Sequence, residues 1–283
     1  MDNPKSKSKI PLRLTIQIFF LLLIFFVKWG KEIGISFFND ISLHAICPFG
    51  GVESIFTYVT SGTLIRQVQN SAVVLMFAVF GLSLLFGPVF CGWMCPLGTV
   101  QELLGKIGRK LLGKQYNAMI PGKADKMLRF LRYSVMALVI YNTAVTARLI
   151  FQAYDPYFAL FNMFTNEVAI TAYLVLGVVL FSSLITERPF CKYACPYGAL
   201  LGMFNLIRVF RVSRKPESCV LCKLCDKRCP MNIAVSSHSA IRNHQCISCL
   251  ECTSENACPK PDTVNLELVF KKNENSIKEE KTA

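Results

Sequence analysis

Charged residues are scarce in this chain of 283 residues: Lys, Arg, Asp and Glu make up 17% of it, whereas 53% is hydrophobic. Residues 67–101 contain no charged side chain, and the other long uncharged stretches lie before residue 210. About 20 apolar residues span a bilayer, so this scarcity excludes a wholly soluble chain. The polar remainder predicts a small soluble domain after a membrane domain.

Acidic residues are fewer than basic ones, 18 against 31, which leaves a formal net charge of +13. A nucleic-acid partner is excluded, because the basic residues crowd at the ends of apolar stretches and no base-stacking motif is present. Lys and Arg concentrate in residues 5–13 and 106–132, and they are sparse in the other loops. Since basic loops mark the cytoplasmic side of a membrane, both termini are predicted to be cytoplasmic.

A signal-peptide cleavage site is also lacking, because no small-residue motif follows the first apolar stretch. That stretch is therefore read as a retained span. We expect an α-helical membrane protein with about four transmembrane helices. They are assigned to residues 14–27, the uncharged segment 67–101, residues 133–147 and residues 168–186.

Cysteine, in contrast, is abundant near the C-terminus, where eight of the 13 cysteines form two runs. The spacing C-x2-C-x2-C-x3-C-P of the first run is that of a bacterial [4Fe–4S] ferredoxin, and the second run has a longer final gap. A zinc site would not require the third Cys or the Cys-Pro pair. The runs are Cys219, Cys222, Cys225 and Cys229, then Cys246, Cys249, Cys252 and Cys258.

Two [4Fe–4S] clusters are predicted from these runs. In two-cluster ferredoxins the fourth Cys of each run binds the other cluster. The first cluster is therefore assigned Cys219, Cys222, Cys225 and Cys258, and the second Cys246, Cys249, Cys252 and Cys229. Because these ligands must stay reduced, the domain is expected to face the cytoplasm.

A second cysteine pattern is repeated within the membrane domain. The segment FCGWMCPLG at 90–98 returns as FCKYACPYG at 190–198, which indicates two related halves. Helical spacing would put Cys91 and Cys95 one turn apart, and likewise Cys191 and Cys195, with the following Pro and Gly ending or redirecting each helix. Four facing thiolates would suit an iron–sulfur centre, Zn or Cu(I), whereas the alternative is ordinary burial of small side chains.

On the predicted outer side, Cys47 follows His44 by three residues. The pair suggests a metal site or an electron entry point, and the alternative is a packed Cys beside a hydrogen-bonded His. Asp155 holds the corresponding place in the second half, where a helix cap is the simple interpretation. The expected domains are a basic tail 1–13, a membrane domain 14–206, a two-cluster ferredoxin-like α+β domain 207–270 and a disordered tail 271–283.

The combined motifs resemble the integral-membrane 4Fe–4S proteins of the polyferredoxin type, over about residues 14–262. That family includes the membrane quinol-oxidising subunit of the periplasmic nitrate reductase system, the regulatory protein of nitrous oxide respiration and an accessory protein of cytochrome oxidase assembly. Within these 283 residues we expect neither the outer flavin-binding domain of the second nor the added C-terminal domain of the third.

These observations predict an electron-transfer component in a bacterial or archaeal cell membrane. It would pass electrons between a cytoplasmic donor or partner and a quinone or an outer redox protein such as a flavoprotein, with membrane lipid around it. Two alternatives are open from the sequence: a maturation factor that reduces copper held by the membrane cysteines, and a redox-sensing regulator.

Overall fold

The computed structural model describes residues 12–32, 50–52, 55–56, 70–117, 120–146, 150–163, 168–260 and 262–268. His44 and Cys47, together with residues 1–11 and 269–283, lie outside the described residues. Among the described elements the α-helices are α1 Leu12–Glu32, α2 Asn70–Phe86, α3 Pro96–Leu112, α4 Gly122–Thr146, α5 Pro156–Phe161, α6 Ile170–Ser183, α7 Pro189–Tyr193, α8 Pro196–Phe204 and α9 Leu224–Arg228. A π-helix covers Phe90–Met94, 3-10 helices cover Gly113–Gln115, Ile150–Tyr154, Val235–Ser237 and Glu251–Thr253, and the strands are β1 Phe210–Arg214 and β2 Val264–Leu268.

A helix is present at each of the four places where a span was expected: α1, α2, α4 and α6. Among the described residues, only Leu12–Gly30 forms a helix that is by itself long and apolar enough to cross a membrane. Two shorter apolar helices cover Val73–Phe86 and Ile170–Ser183. The four-span topology therefore stays a prediction.

The two strands join the ends of the cysteine-rich region. β1 and β2 pair antiparallel, with Val212 opposite Leu266 and Arg214 opposite Val264. A further bridge links Ser213 to Ala240, so the chain between the strands is also attached to β1. The helices α4 and α8 pack against each other, and β1 follows α8 in the chain.

One hydrophobic core connects the helices with the cysteine-rich region. Val79 of α2, Val139 of α4 and Leu201 of α8 are buried together with Met231 and Ile247. Burial of this kind is the dominant stabilising contribution to folding and docking. The cysteine-rich region is therefore packed against the helices and shares their hydrophobic core.

The structure confirms the interpretation of Asp155 as a helix cap. It stands at the N-cap of α5 in an extended conformation, and its Oδ1 accepts a hydrogen bond from the Tyr157 N–H at 2.9 Å. Pro156 follows at the first helical position, where a missing N–H costs nothing.

Candidate iron–sulfur sites

The C-x3-C-P pairs lie at junctions between helices, which corrects the expected geometry. Cys91 is in the π-helix, but Cys95 is extended (φ −64°, ψ 113°) and caps α3. Cys195 similarly caps α8, with φ −72° and ψ 113°. In each half the proline begins a new helix, because its ring clashes with a continuing helix but suits a first turn. The chain is redirected as expected, although each pair does not share one helical face.

The two halves bring their cysteines together in a buried site. Burial is the main effect that raises the pKa of the Cys195 thiol, and the nearby thiols of Cys191, Cys91 and Cys95 raise it further. The Gly198 N–H donates to Cys195 Sγ at 3.3 Å. Within the described part of the chain, no three His, Cys, Asp or Glu side chains stand at the spacing of ligands to a single metal ion.

The two ferredoxin-type runs have left-handed residues at the same two positions, although their sequences differ between the cysteines. In the first run Leu221 and Lys223 have positive φ angles of 53° and 56°. At the same two positions of the second run, Ser248 and Leu250 have φ angles of 49° and 57°. Alternation of left- and right-handed residues turns successive N–H groups inward and forms concave anion sites. No glycine occupies these positions, so the sequence carried no conformational signal for them.

Four cysteines of the predicted second cluster meet around one cavity. Cys229, Cys246, Cys249 and Cys252 line it together with apolar side chains such as Met231. Burial raises the pKa of Cys229 to about 12 and that of Cys249 to about 11. Buried thiols with raised pKa values become thiolates only if positive charge is supplied, and the irons of a cluster supply it.

The first predicted cluster has a more open setting. Cys219 and Cys222 lie in a loop and Cys225 lies in the short helix α9 that follows it; Cys222 is exposed and Cys225 is buried. Cys258 lies apart in the chain, and its Sγ is 3.3 Å from the Lys260 carbonyl oxygen. The thiol of Cys225 acts electrostatically on Cys252 of the second run, so the two runs are neighbours. The ligand assignment of this first site stays a prediction.

Three buried arginines lie near these cysteines, and none of them was predicted from the sequence to be a site residue. Arg132, Arg188 and Arg208 are at most 2% exposed. Arg208 lies 3.7 Å from Cys246 Sγ and 2.7 Å from Ser248 Oγ. Arg132 donates to Gln245 Oε1 at 3.2 Å and to the His244 carbonyl oxygen at 3.0 Å.

The arginines lack sufficient negative partners among the described residues. Neither Arg132 nor Arg208 forms a salt bridge there, and the Nε atoms of all three arginines are buried without a hydrogen-bond acceptor. An uncompensated buried charge is very costly. A four-iron cluster with four thiolate ligands carries net negative charge, so the donor set and its surroundings fit such clusters. An arginine at the end of an apolar stretch, such as Arg188, is the signal that could have found this feature.

Of these three arginines, Arg188 is the one that pairs with a carboxylate among the described residues. Its guanidinium donates to the Cys91 carbonyl oxygen at 2.5 Å and to Glu102 Oε2 at 2.7 Å. Burial acts to raise the pKa of Glu102, but Arg188 and Arg13 together lower it below its usual range. The three side chains form one buried ion network, in which Glu102 pairs with both guanidinium groups and Arg13 also pairs with Glu251 at 3.0 Å.

Arg188 also connects the two kinds of cysteine site electrostatically. Its positive charge acts on the thiols of Cys91 and Cys191 in the two C-x3-C-P pairs, and on the thiol of Cys249 in the second run. Gln101 of α3 completes the surroundings, because its Nε2 lies 3.7 Å from Cys191 Sγ.

Comparison with known proteins identifies the repeated segments. The model of a 4Fe–4S binding domain matches residues 71–115 and 168–215, and each match contains one C-x3-C-P pair. The uncharacterized protein MJ0750 of Methanocaldococcus jannaschii is 30% identical over 245 residues, which cover 87% of this chain and 96% of that protein. The chain belongs to the polyferredoxin-type family of 4Fe–4S proteins. Because the same model matches both segments, it supports the internal repeat that the two C-x3-C-P pairs indicate.

Two further relatives of this polyferredoxin-type protein carry functional names. Escherichia coli YccM, a candidate electron transport protein, is 31% identical over 227 residues, or 78% of this chain. The match spans 62% of YccM, less than two thirds of its length. The ferredoxin-type protein NapH of Haemophilus influenzae is 31% identical over 107 residues, which cover 38% of this chain and 33% of NapH. No solved structure matches the chain.

The mostly helical architecture with a ferredoxin-like 4Fe–4S part is thereby confirmed, and so is the expected resemblance. This polyferredoxin-type chain is a 4Fe–4S protein.

Proposed function

We propose that this protein is a membrane-bound relay that moves electrons between a cytoplasmic redox partner and a quinone or outer-side partner. The ferredoxin-like domain 207–270 would hold two [4Fe–4S] clusters, with the crossed ligand sets given above. The four cysteines of the C-x3-C-P pairs would hold a further iron–sulfur or metal centre in the membrane domain 14–206.

One contact carries this proposal: the second cysteine run packs directly on the first C-x3-C-P pair. Trp93 Nε1 donates to the Ser248 carbonyl oxygen at 3.0 Å. Gly92 faces the Ile247 carbonyl oxygen so closely that a Cβ atom at residue 92 would collide with it. Electron transfer slows steeply with distance, so a direct contact between the two cysteine sites is what a relay requires.

We expect about eight iron and eight sulfide atoms per chain from two four-iron clusters, and about twelve of each if the C-x3-C-P centre is a third. Anaerobic purification followed by iron, sulfide and copper analysis measures this. EPR of the reduced protein should show the paramagnetic reduced clusters. Zinc without sulfide would contradict the assignment, and stoichiometric copper would favour the copper-reducing alternative.

Membrane insertion with four spans and both termini inside is the second element of the proposal. It is supported by the four helices at the expected places and by the basic loops 5–13 and 106–132. Reporter fusions at residues 40, 118, 160 and 283 should report outside, inside, outside and inside. A cytoplasmic signal at residue 160 would overturn this topology.

An apolar cavity supports a quinone as the membrane partner. It measures about 660 Å³ and lies between α1 and α2, beside Met94 and Pro96 of the first C-x3-C-P segment. Tyr157 adds a hydroxyl group to an otherwise apolar lining. A size of roughly 300–1,000 Å³ and an apolar wall with few polar groups are typical of small-molecule sites.

Filling this cavity should impair quinone reactivity alone. We expect Ala78→Phe to slow electron exchange with a soluble short-chain quinone about tenfold or more, while cluster content stays unchanged. Leu82→Phe, on an exposed part of the same helix, is the matched control. Equal quinone rates in both variants would exclude the cavity as the quinone site.

A further inference from the structure

We propose that the loop of the first cysteine run is the docking surface for an acidic, soluble one-electron carrier protein. This first-run surface consists of Val220, Leu221, Cys222, Lys223, Leu224, Lys227 and Arg228. The inference rests on the proposed relay and names the partner class at its cytoplasmic end.

The loops of the two cysteine runs have the same pair of left-handed residues, yet their surroundings differ. In the second run Ile247 is 7% exposed, and it is covered by the first C-x3-C-P segment of the same chain. At the matching position of the first run Val220 is 57% exposed, and the next residue, Leu221, is 64% exposed. The loop of the second run is thus covered by the first C-x3-C-P segment of the same chain. The matching loop of the first run is exposed.

Exposed apolar side chains beside a predicted redox centre are unusual on a surface that binds no partner. Leu224 is a further exposed apolar residue of this loop, at 38%. Like Val220 and Leu221, it lies within two residues of Cys222, which is exposed as well. Apolar residues at the centre with charged residues at the rim are the usual composition of a protein interface. Small contacts of this type suit short-lived electron-transfer complexes.

The charge of the rim selects the partner. Lys223, Lys227 and Arg228 are exposed, and just before the run the exposed Lys215 and Glu217 carry opposite charges that offset each other. Asp226 lies within the same segment, but its carboxylate accepts hydrogen bonds from the Ser236 N–H and hydroxyl group. The first-run surface is therefore positive and is complementary to an acidic protein. Such complementarity mainly raises the association rate.

The chemical step is a single electron transfer without bond changes. A reduced carrier would lose one electron, and a [4Fe–4S] cluster held by Cys219, Cys222, Cys225 and Cys258 would gain it and become one charge more negative. No proton or leaving group takes part. The same contact serves the reverse transfer when the carrier is oxidised.

The test uses the full-length holoprotein in neutral detergent and a chemically reduced, acidic plant-type [2Fe–2S] ferredoxin as the probe. Stopped-flow absorbance measures the second-order rate of electron transfer. We expect Lys223→Glu/Lys227→Glu to lower this rate about tenfold at low salt, and added salt to remove most of the difference. The matched control is Lys106→Glu/Lys110→Glu, which changes the charge equally on exposed positions of α3.

Equal rates in the two double variants would overturn the docking surface. So would a Lys223→Glu/Lys227→Glu protein that loses binding to anionic phospholipid vesicles but keeps the parental transfer rate, since the basic rim would then serve a lipid surface. Reduction of the clusters by reduced methyl viologen separates this outcome from failure of the relay itself. If the viologen reduces the clusters and the ferredoxin does not, only the docking proposal fails.

Discussion

We expect Cys191→Ser to abolish electron transfer through the protein while both ferredoxin-type clusters remain loaded. Serine is nearly equal in size but lacks the soft thiolate that binds iron or copper. Cys191 interacts electrostatically with the other three thiols of its site and with Arg188, so the loss falls on the centre itself. The measurement compares quinone reduction by the parental and variant proteins with their iron content and EPR spectra.

The other single variants, Cys91→Ser, Cys95→Ser and Cys195→Ser, should give defects of similar size. Residues that act as one unit are not additive, so a double variant should be little worse than a single one. Parental transfer rates in all four variants would show that these cysteines only fill space. Loss of the protein from the membrane would assign them to folding, which would contradict the relay as well.

Arg188→Gln should lower the reduction potential of the nearest centre by on the order of 50 mV. A cluster becomes more negative when it is reduced, and a buried cation stabilises that state, so removal of the cation lowers the potential. The same substitution leaves Glu102 with Arg13 as its remaining partner in the network. Breaking a buried ion network by removal of one member costs about 3–5 kcal/mol of stability.

Potentiometric EPR titration measures the shift, and thermal unfolding measures the stability. Arg188→Lys keeps the charge but loses the two-pronged guanidinium, so it should restore most of the potential and little of the stability. Arg109→Gln is the matched control, because Arg109 pairs with Glu187 and its side chain is 42% exposed. Equal potentials in Arg188→Gln and Arg109→Gln would show that Arg188 has a structural role only.

Local sequence patterns predicted several features correctly. The FC…CP repeat predicted two related halves, and the 4Fe–4S domain model matches both. Pro96 and Pro196 predicted a change of chain direction, and Asp155 before Pro156 predicted a helix cap. Each of these signals depends on residues within one or two turns of each other, so neighbouring side chains and backbone sterics suffice to encode it.

Tertiary structure alone decided how the cysteine sites are arranged. The contact of Ser248 with Trp93 joins residues 155 positions apart, and no local pattern marks it. The cationic surroundings arise in the same way, since Arg188 reaches Glu102 across 86 residues and Cys91 across 97. The sequence by itself thus predicted which residues bind iron, and it determined that Pro96 and Pro196 redirect the chain. Which of the two runs is covered by a C-x3-C-P segment, and which is exposed, depended on packing between distant segments, because the two runs have the same spacing over their first three cysteines and left-handed residues at the same two positions.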